Sequence, residues 1–342
     1  MIDLRSDTVT KPTQAMRKAM AEAEVGDDVF GEDPTVNGLQ EKLASLLGKS
    51  EGLFVPSGTM SNQICIKSHT QPGDEIICEK NAHLYIYEAG GPAFHSGVQV
   101  MPLPGKLGVL TADQIEEAVR PQNIHNPVTR LICLENTHNR AGGTVFPLEE
   151  IRGIRQMADR YGLQMHLDGA RLWNAEAATG IPLKTWAQSF DSVSVCFSKG
   201  LGAPVGSLIA GDEAFIGKAR RYRKLFGGGM RQAGILAAAA IHAVDHHVKR
   251  LADDHRNARL LAEAICGIPA FQVDMEAVQT NIVYFETLKP GLSAGEAVVR
   301  LKEKGVAVLA VGPRRIRAVT HLDVSEQQIR EAIEIFRLLF QP

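Results

Sequence analysis

The sequence predicts an α/β chain with a mostly parallel sheet covered by helices, followed by a small α+β unit at the carboxyl end. Three observations predict it. Short apolar strands alternate with helices through most of the chain, as in strands joined by helical crossovers. Two of these strands run into polar residues, at Asp168 and Ser198, so both offer side chains to one crevice at the sheet's carboxyl edge. Beyond residue 250 that regular alternation gives way to a mixed pattern.

The elements follow in order. Residues 35–47 are helical, because Leu39, Leu43 and Leu47 share one face and Gly48 supplies a stop. Residues 53–55 are extended, and Pro56-Ser57-Gly58-Thr59 then opens a helix. Strands are expected at 75–78 and 98–103. Residues 110–119 are helical behind the capping box Thr111…Gln114, whose side chains satisfy orphan amides. A strand at 130–134 precedes a helix at 148–161 that Gly162 stops. The strands ending at Asp168 and Ser198 come next, and 205–210 extends the sheet. Residues 229–264 form a long helical region that breaks near Ala252. Strands at 281–285, 306–309 and 316–320 alternate with helices at 293–304 and 325–340, which carry the boxes Ser293…Glu296 and Ser325…Gln328. We therefore divide the chain into a large unit, 1–250, and a small one, 251–342.

The bulk numbers exclude several classes. A chain of 342 residues with 44% hydrophobic content buries a sizeable core. A net charge of −2 gives no general attraction to nucleic acid. Cys65, Cys78, Cys133, Cys196 and Cys266 show no paired spacing, which points to reduced thiols, a cytoplasmic protein and no metal site. The amino terminus is charged at once and has no signal-peptide core. The longest apolar run, 235–241, is far below the roughly 20 residues of a membrane span.

Lys199 and Asp168 carry the functional reading. An amine to form a Schiff base and an acid to keep a pyridine nitrogen protonated are the minimum kit for pyridoxal phosphate. Lys199 follows an apolar run and precedes Gly200, Gly202 and Gly206, whereas a surface lysine needs no such setting. Ser57-Gly58-Thr59 stands where an extended segment enters a helix, and free amides there bind an anion such as phosphate. An ordinary helix cap reads the same way. His83, beside Tyr85 and Tyr87, suits stacking on a planar ring or proton transfer. His138 organises a loop equally well. Arg171 and Arg317 are candidates for a substrate carboxylate, with surface ion pairs as the alternative. The run Gly227-Gly228-Gly229-Met230-Arg231-Gln232 interrupts helical sequence, which suits close approach to a ligand or another subunit.

These motifs resemble the low-specificity L-threonine aldolases, within the fold-type I pyridoxal-phosphate enzymes. The likeness runs nearly end to end, through Leu4-Arg5-Ser6-Asp7-Thr8-Val9-Thr10, Val25 onward to Pro34, Pro56-Ser57-Gly58-Thr59 and Leu134-Glu135-Asn136-Thr137-His138-Asn139. It continues through His166-Leu167-Asp168-Gly169-Ala170-Arg171, the Lys199 segment, the triple-glycine run and Val319-Thr320-His321. The resemblance implies an aspartate-aminotransferase-like fold with a seven-stranded sheet, and retro-aldol cleavage of β-hydroxy-α-amino acids to glycine and an aldehyde. It implies that Lys199 binds pyridoxal 5'-phosphate, Asp168 meets the ring nitrogen, and His83 stacks on the ring. Ser57, Gly58 and Thr59 would hold the phosphate, joined by Arg231 from a neighbouring subunit, with Arg171 also beside the cofactor. Ser6, Arg171 and Arg317 would hold the substrate carboxylate, with Tyr87, His83 and His125 nearby. It further implies a homotetramer with active sites at the dimer interface. Phe30 stands where many relatives carry tyrosine, so a hydroxyl is absent there.

Three readings stay open. The catalytic base is His83, His125 or a water molecule. A β-eliminating lyase or an aminotransferase would use the same lysine, acid and phosphate loop. The order of preference between threonine and allo-threonine is not legible.

Overall fold

Seven strands form the central sheet, in the order Glu51–Val55, Ser207–Gly211, Ser192–Cys196, Gln164–Gly169, Thr129–Glu135, Glu75–Glu79 and Gln99–Leu103. The strand Ser207–Gly211 runs antiparallel to both its neighbours, and the other pairings are parallel. Because both faces of the sheet are covered, its inner strands read as unbroken buried runs; all five residues of Ser192–Cys196 are buried. The architecture comes from a computed structural model that describes residues 1–341. None of its described helices is long and apolar enough to cross a membrane.

The helix Pro34–Leu47 obeys its sequence signals. Asp33 caps its start by accepting a hydrogen bond from Val36 N at 3.0 Å, and Gly48 ends it at φ +63°. All three expected capping boxes form. The long helical region after the triple glycine is two helices, Gly234–His246 and Leu251–Cys266, and the break lies just ahead of Ala252. Helices at Gln14–Ala21 and Glu213–Leu225 add to those expected.

A second core gathers around Phe271, Phe285, Phe336 and Phe340. Phe271 stands edge-on to Phe285 at 5.3 Å and to Phe340 at 4.9 Å, a favoured aromatic geometry. Its antiparallel sheet runs Leu309–Ala310, Arg315–Val319, Ile282–Thr287 and Phe271–Val273. The expected strand at 306–309 splits, because Val306–Ala307 pairs instead with Ile2–Asp3. Ile2 and Leu4 thereby join the second core. This return of the amino terminus carries Ser6 and Asp7 between the two cores, towards the carboxyl edge of the large sheet.

Candidate active site

The register of the sheet sets where the side chains emerge. Val55 and Cys196 both pair with Ser207, so the chain leaves those two strands at one level. One exit is the turn at Ser57-Gly58, and the other leads to Lys199. Asp168 pairs with Ser194 on one side and Glu135 on the other. The lysine, the acid and the Ser57 turn therefore share one edge of the sheet.

Asp168 is buried. Its Oδ2 accepts from Asn62 Nδ2 at 2.8 Å and its Oδ1 from Ala170 N at 3.1 Å. Burial works against its charge, but Lys199, His83 and the Asn62 hydrogen bond outweigh burial and hold the carboxyl below its ordinary pKa. A buried carboxylate kept ionised is the group that accepts a hydrogen bond from a protonated pyridine nitrogen and stabilises its charge. Lys199 is half-buried in a turn that Gly202 N closes on the Lys199 carbonyl at 2.9 Å.

His83 starts the short helix His83–Ile86. Its backbone N donates to Glu135 Oε2 at 2.7 Å, and its Nδ1 lies 2.9 Å from Glu88 Oε1. Burial pulls the imidazole pKa down, but Glu88 and Asp168 prevail and raise it. His83, Glu88 and Asp168 offer ligand atoms within 4.8 Å of one another. A cation would need the lone pairs that Asn62 already occupies: its amide donates to Glu88 Oε1 and to Asp168 Oδ2, each at 2.8 Å. The donor set suits an organic cation better than a metal ion.

Ser57 caps the helix Gly58–His69, its Oγ accepting from Met60 N at 3.2 Å. Thr59 is exposed on the first turn. A Cβ on Gly58 would lie 2.7 Å from Cys196 Sγ, so only glycine lets this turn settle against the strand below. The triple glycine arrives from the other side, where a Cβ on Gly228 would meet Met60 Sδ at 2.3 Å. The first-turn amides of a helix are where an anion such as phosphate would bind.

Arg171 and Asp7 are both buried and joined by two hydrogen bonds of 2.7 Å, from Nε and Nη2. Burial alone would raise the Asp7 pKa, but Arg171 brings it down to about 2. Arg171 is thus held in place by Asp7, with Nη1 left for another partner. Ser6, next in chain, accepts from Thr8 Oγ1 at 2.8 Å. Arg317 donates from Nη2 to the Arg5 carbonyl at 3.1 Å and from Nη1 to Asn139 Oδ1 at 3.3 Å, while its buried Nε has no partner. An orphan guanidinium donor suits a carboxylate ligand. Tyr87 approaches His83, with ring centroids 5.6 Å apart, and its hydroxyl accepts from Arg140 Nη1 at 2.8 Å.

Two expected residues stand apart. Arg231 is more than half exposed and pairs with Asp27 at 3.1 Å. His125 is exposed in the loop before Thr129–Glu135, at the amino end of the strand whose other end holds Glu135. Seven residues of strand put it roughly 20 Å from the crevice of its own chain. Asn62, Glu88 and Asp7 were not singled out in the sequence. The available signal for Asn62 was the polar run Ser61-Asn62-Gln63, buried ahead of Ile64-Cys65-Ile66 in the same helix.

A family model described as beta-eliminating lyase matches residues 3–288. The low specificity L-threonine aldolase of Escherichia coli K12 is 43% identical over 339 residues, covering 98% of each chain. The chain belongs to the low-specificity L-threonine aldolase family. Low-specificity L-threonine aldolase 1 of Arabidopsis thaliana is 42% identical, over 98% of this chain and 95% of that one. The threonine aldolase of Leishmania major shares the family fold at a TM-score of 0.84 and 21% identity, over 99% of both chains. Serine palmitoyltransferase of Sphingomonas wittichii has the same architecture at a TM-score of 0.75 and 17% identity, over 98% of this chain and 86% of that one. The motif resemblance and the fold-type I expectation are both borne out.

Proposed function

We propose that the crevice between Asp168, Lys199 and His83 is the catalytic centre through which this chain cleaves threonine-type substrates. The protein is a pyridoxal-phosphate-dependent lyase that converts L-threonine, L-allo-threonine and related β-hydroxy-α-amino acids to glycine and an aldehyde. When bound, the cofactor supplies a sink for the electron pair left as the Cα–Cβ bond breaks. The observation that carries the site is one ionised, buried carboxylate and one lysine leaving adjacent strands at the same edge.

Each residue then has a task. Lys199 would hold the cofactor through its amine. Asp168 would keep the ring nitrogen protonated. His83 would pack against the cofactor, and the first turn at Ser57, Gly58 and Thr59 would hold its phosphate. Arg317 and Ser6 bind the substrate carboxylate, with Arg171 held ready by Asp7. This clamp would fix the orientation of the bonds at Cα, and so select cleavage over proton loss. A proton must leave the β-hydroxyl. His83 takes it in its neutral form, with Glu88 fixing its Nδ1 and directing Nε2 outward.

His125 and Arg231 fit this scheme only as contributions from another copy, which supports a homotetramer with shared sites. Reduced, mostly buried thiols support a cytoplasmic protein. With the chain divided near residue 250, Arg317 would come to the clamp from the small unit.

Incubation with L-allo-threonine and pyridoxal phosphate tests the reading. Stoichiometric glycine and acetaldehyde support it. A keto acid with no glycine would instead indicate β-elimination or transamination.

A further inference from the structure

Behind Asp168 lies a line of buried polar groups that the cleavage chemistry does not use. His69 Nε2 is 2.8 Å from Ser192 Oγ, Ser192 Oγ is 3.0 Å from His166 Nδ1, and His166 Nε2 is 3.2 Å from Asn62 Oδ1. Ser194 Oγ also donates to Asn62 Oδ1, at 3.1 Å. Burial depresses both imidazoles, His166 to about 4 and His69 to about 3, so each is neutral at pH 7 and carries one N–H.

Chemistry then fixes every direction in the line. Two carboxylates face the Asn62 amide nitrogen, so its oxygen must face His166 and Ser194. An amide oxygen only accepts, so His166 carries its proton on Nε2. Its Nδ1 is then an acceptor and receives a hydrogen bond from the Ser192 hydroxyl. Ser192 in turn accepts from His69 Nε2, and the His69 ring stacks on Phe215 at 4.7 Å. All the N–H and O–H bonds point one way, towards Asp168 and Glu88. Hydrogen bonds so aligned polarise one another, and in a buried site they strengthen the last donor.

We propose that Asn62 is a positioning residue for both halves of the site. Its two N–H groups hold the ionised Asp168 at the place of the ring nitrogen and hold Glu88 behind His83, and the aligned chain from His69 supports both. The proposal rests on the catalytic assignment above. Asn62 can satisfy this role because all four of its hydrogen-bonding positions are used, in a side chain that is buried. A glutamine could not keep the same four partners without moving the helix.

The test uses the holoenzyme, with cofactor labelled by 15N in its ring. In Asn62→Ala the lysine-bound absorbance band persists, because Lys199 is untouched. The ring-nitrogen resonance moves towards the unprotonated position, and the His83 titration shifts with it. The kcat falls at least about 10- to 100-fold, the loss expected from each hydrogen bond to a charged group, while KM changes less than about 3-fold. Ser192→Ala, a smaller change, moves both resonances the same way with a kcat loss of a few-fold. Unchanged ring-nitrogen and His83 signals in folded Asn62→Ala would overturn the proposal. If that variant does not fold, unchanged signals in Ser192→Ala would overturn it. A wild-type protein with no lysine-bound band would instead sink the catalytic assignment itself.

Discussion

Arg171 gives Asp7 both Nε and Nη2 at 2.7 Å, and this bidentate pair joins the amino-terminal segment to the end of the Asp168 strand. The pair is buried, so neither charge has water to turn to. Asp7→Asn leaves Arg171 charged and under-partnered, which costs about 3–5 kcal/mol. The expected result is a lower urea midpoint together with weaker substrate binding. The pH dependence follows from the direction of the shift. The Asp7 pKa is depressed from 3.8 to about 2 in the folded protein. Its stabilisation is therefore complete above the unfolded value and is lost as pH falls through about 2. Acid unfolding of the wild type between those limits, absent as a step in Asp7→Asn, checks this.

Glu88 raises the His83 pKa, and His83 acts as a base only when neutral. Activity should therefore fall as pH drops through that raised value. Glu88→Gln removes the charge that holds the proton, so the acid limb of kcat/KM moves to lower pH. A limb that stays in place would assign the proton to a water molecule or to His125.

Much of this arrangement was legible beforehand, and for definable reasons. The shared sheet edge of Lys199 and Asp168 was legible because a polar residue after a buried strand has few places to go. Helix ends were found because capping chemistry is local, as at Thr111 and Ser293. Asn62 and Glu88 were not found. Their partners are up to 106 residues away, and the polar run Ser61-Asn62-Gln63 does not say what it faces. The split at 306–309 was hidden for a similar reason: the partner of Val306–Ala307 is the amino terminus.

Arg317 is held by two long bonds, and its buried Nε lacks a partner. Arg317→Gln should lower kcat/KM for L-allo-threonine by about 10- to 100-fold, read in steady-state kinetics. Arg317→Lys should recover only part of this, because an ammonium cannot make the paired bonds of a guanidinium. Cofactor binding, followed by absorbance, should not change.

His125 faces solvent at the far edge of its own sheet. If it serves a neighbour's site, His125→Phe and Lys199→Ala subunits are each inactive alone. Mixed and reassembled, they should regain activity, because one site then combines a native lysine with a native histidine. No recovery would place His125 outside the shared site.

The central claim is that Lys199 carries the cofactor opposite Asp168. Borohydride reduction of the holoenzyme, followed by peptide mapping, tests it most directly. The account predicts a reduced phosphopyridoxyl group on the peptide containing Lys199, with glycine formation abolished. Modification of another lysine, or none with activity intact, would contradict it.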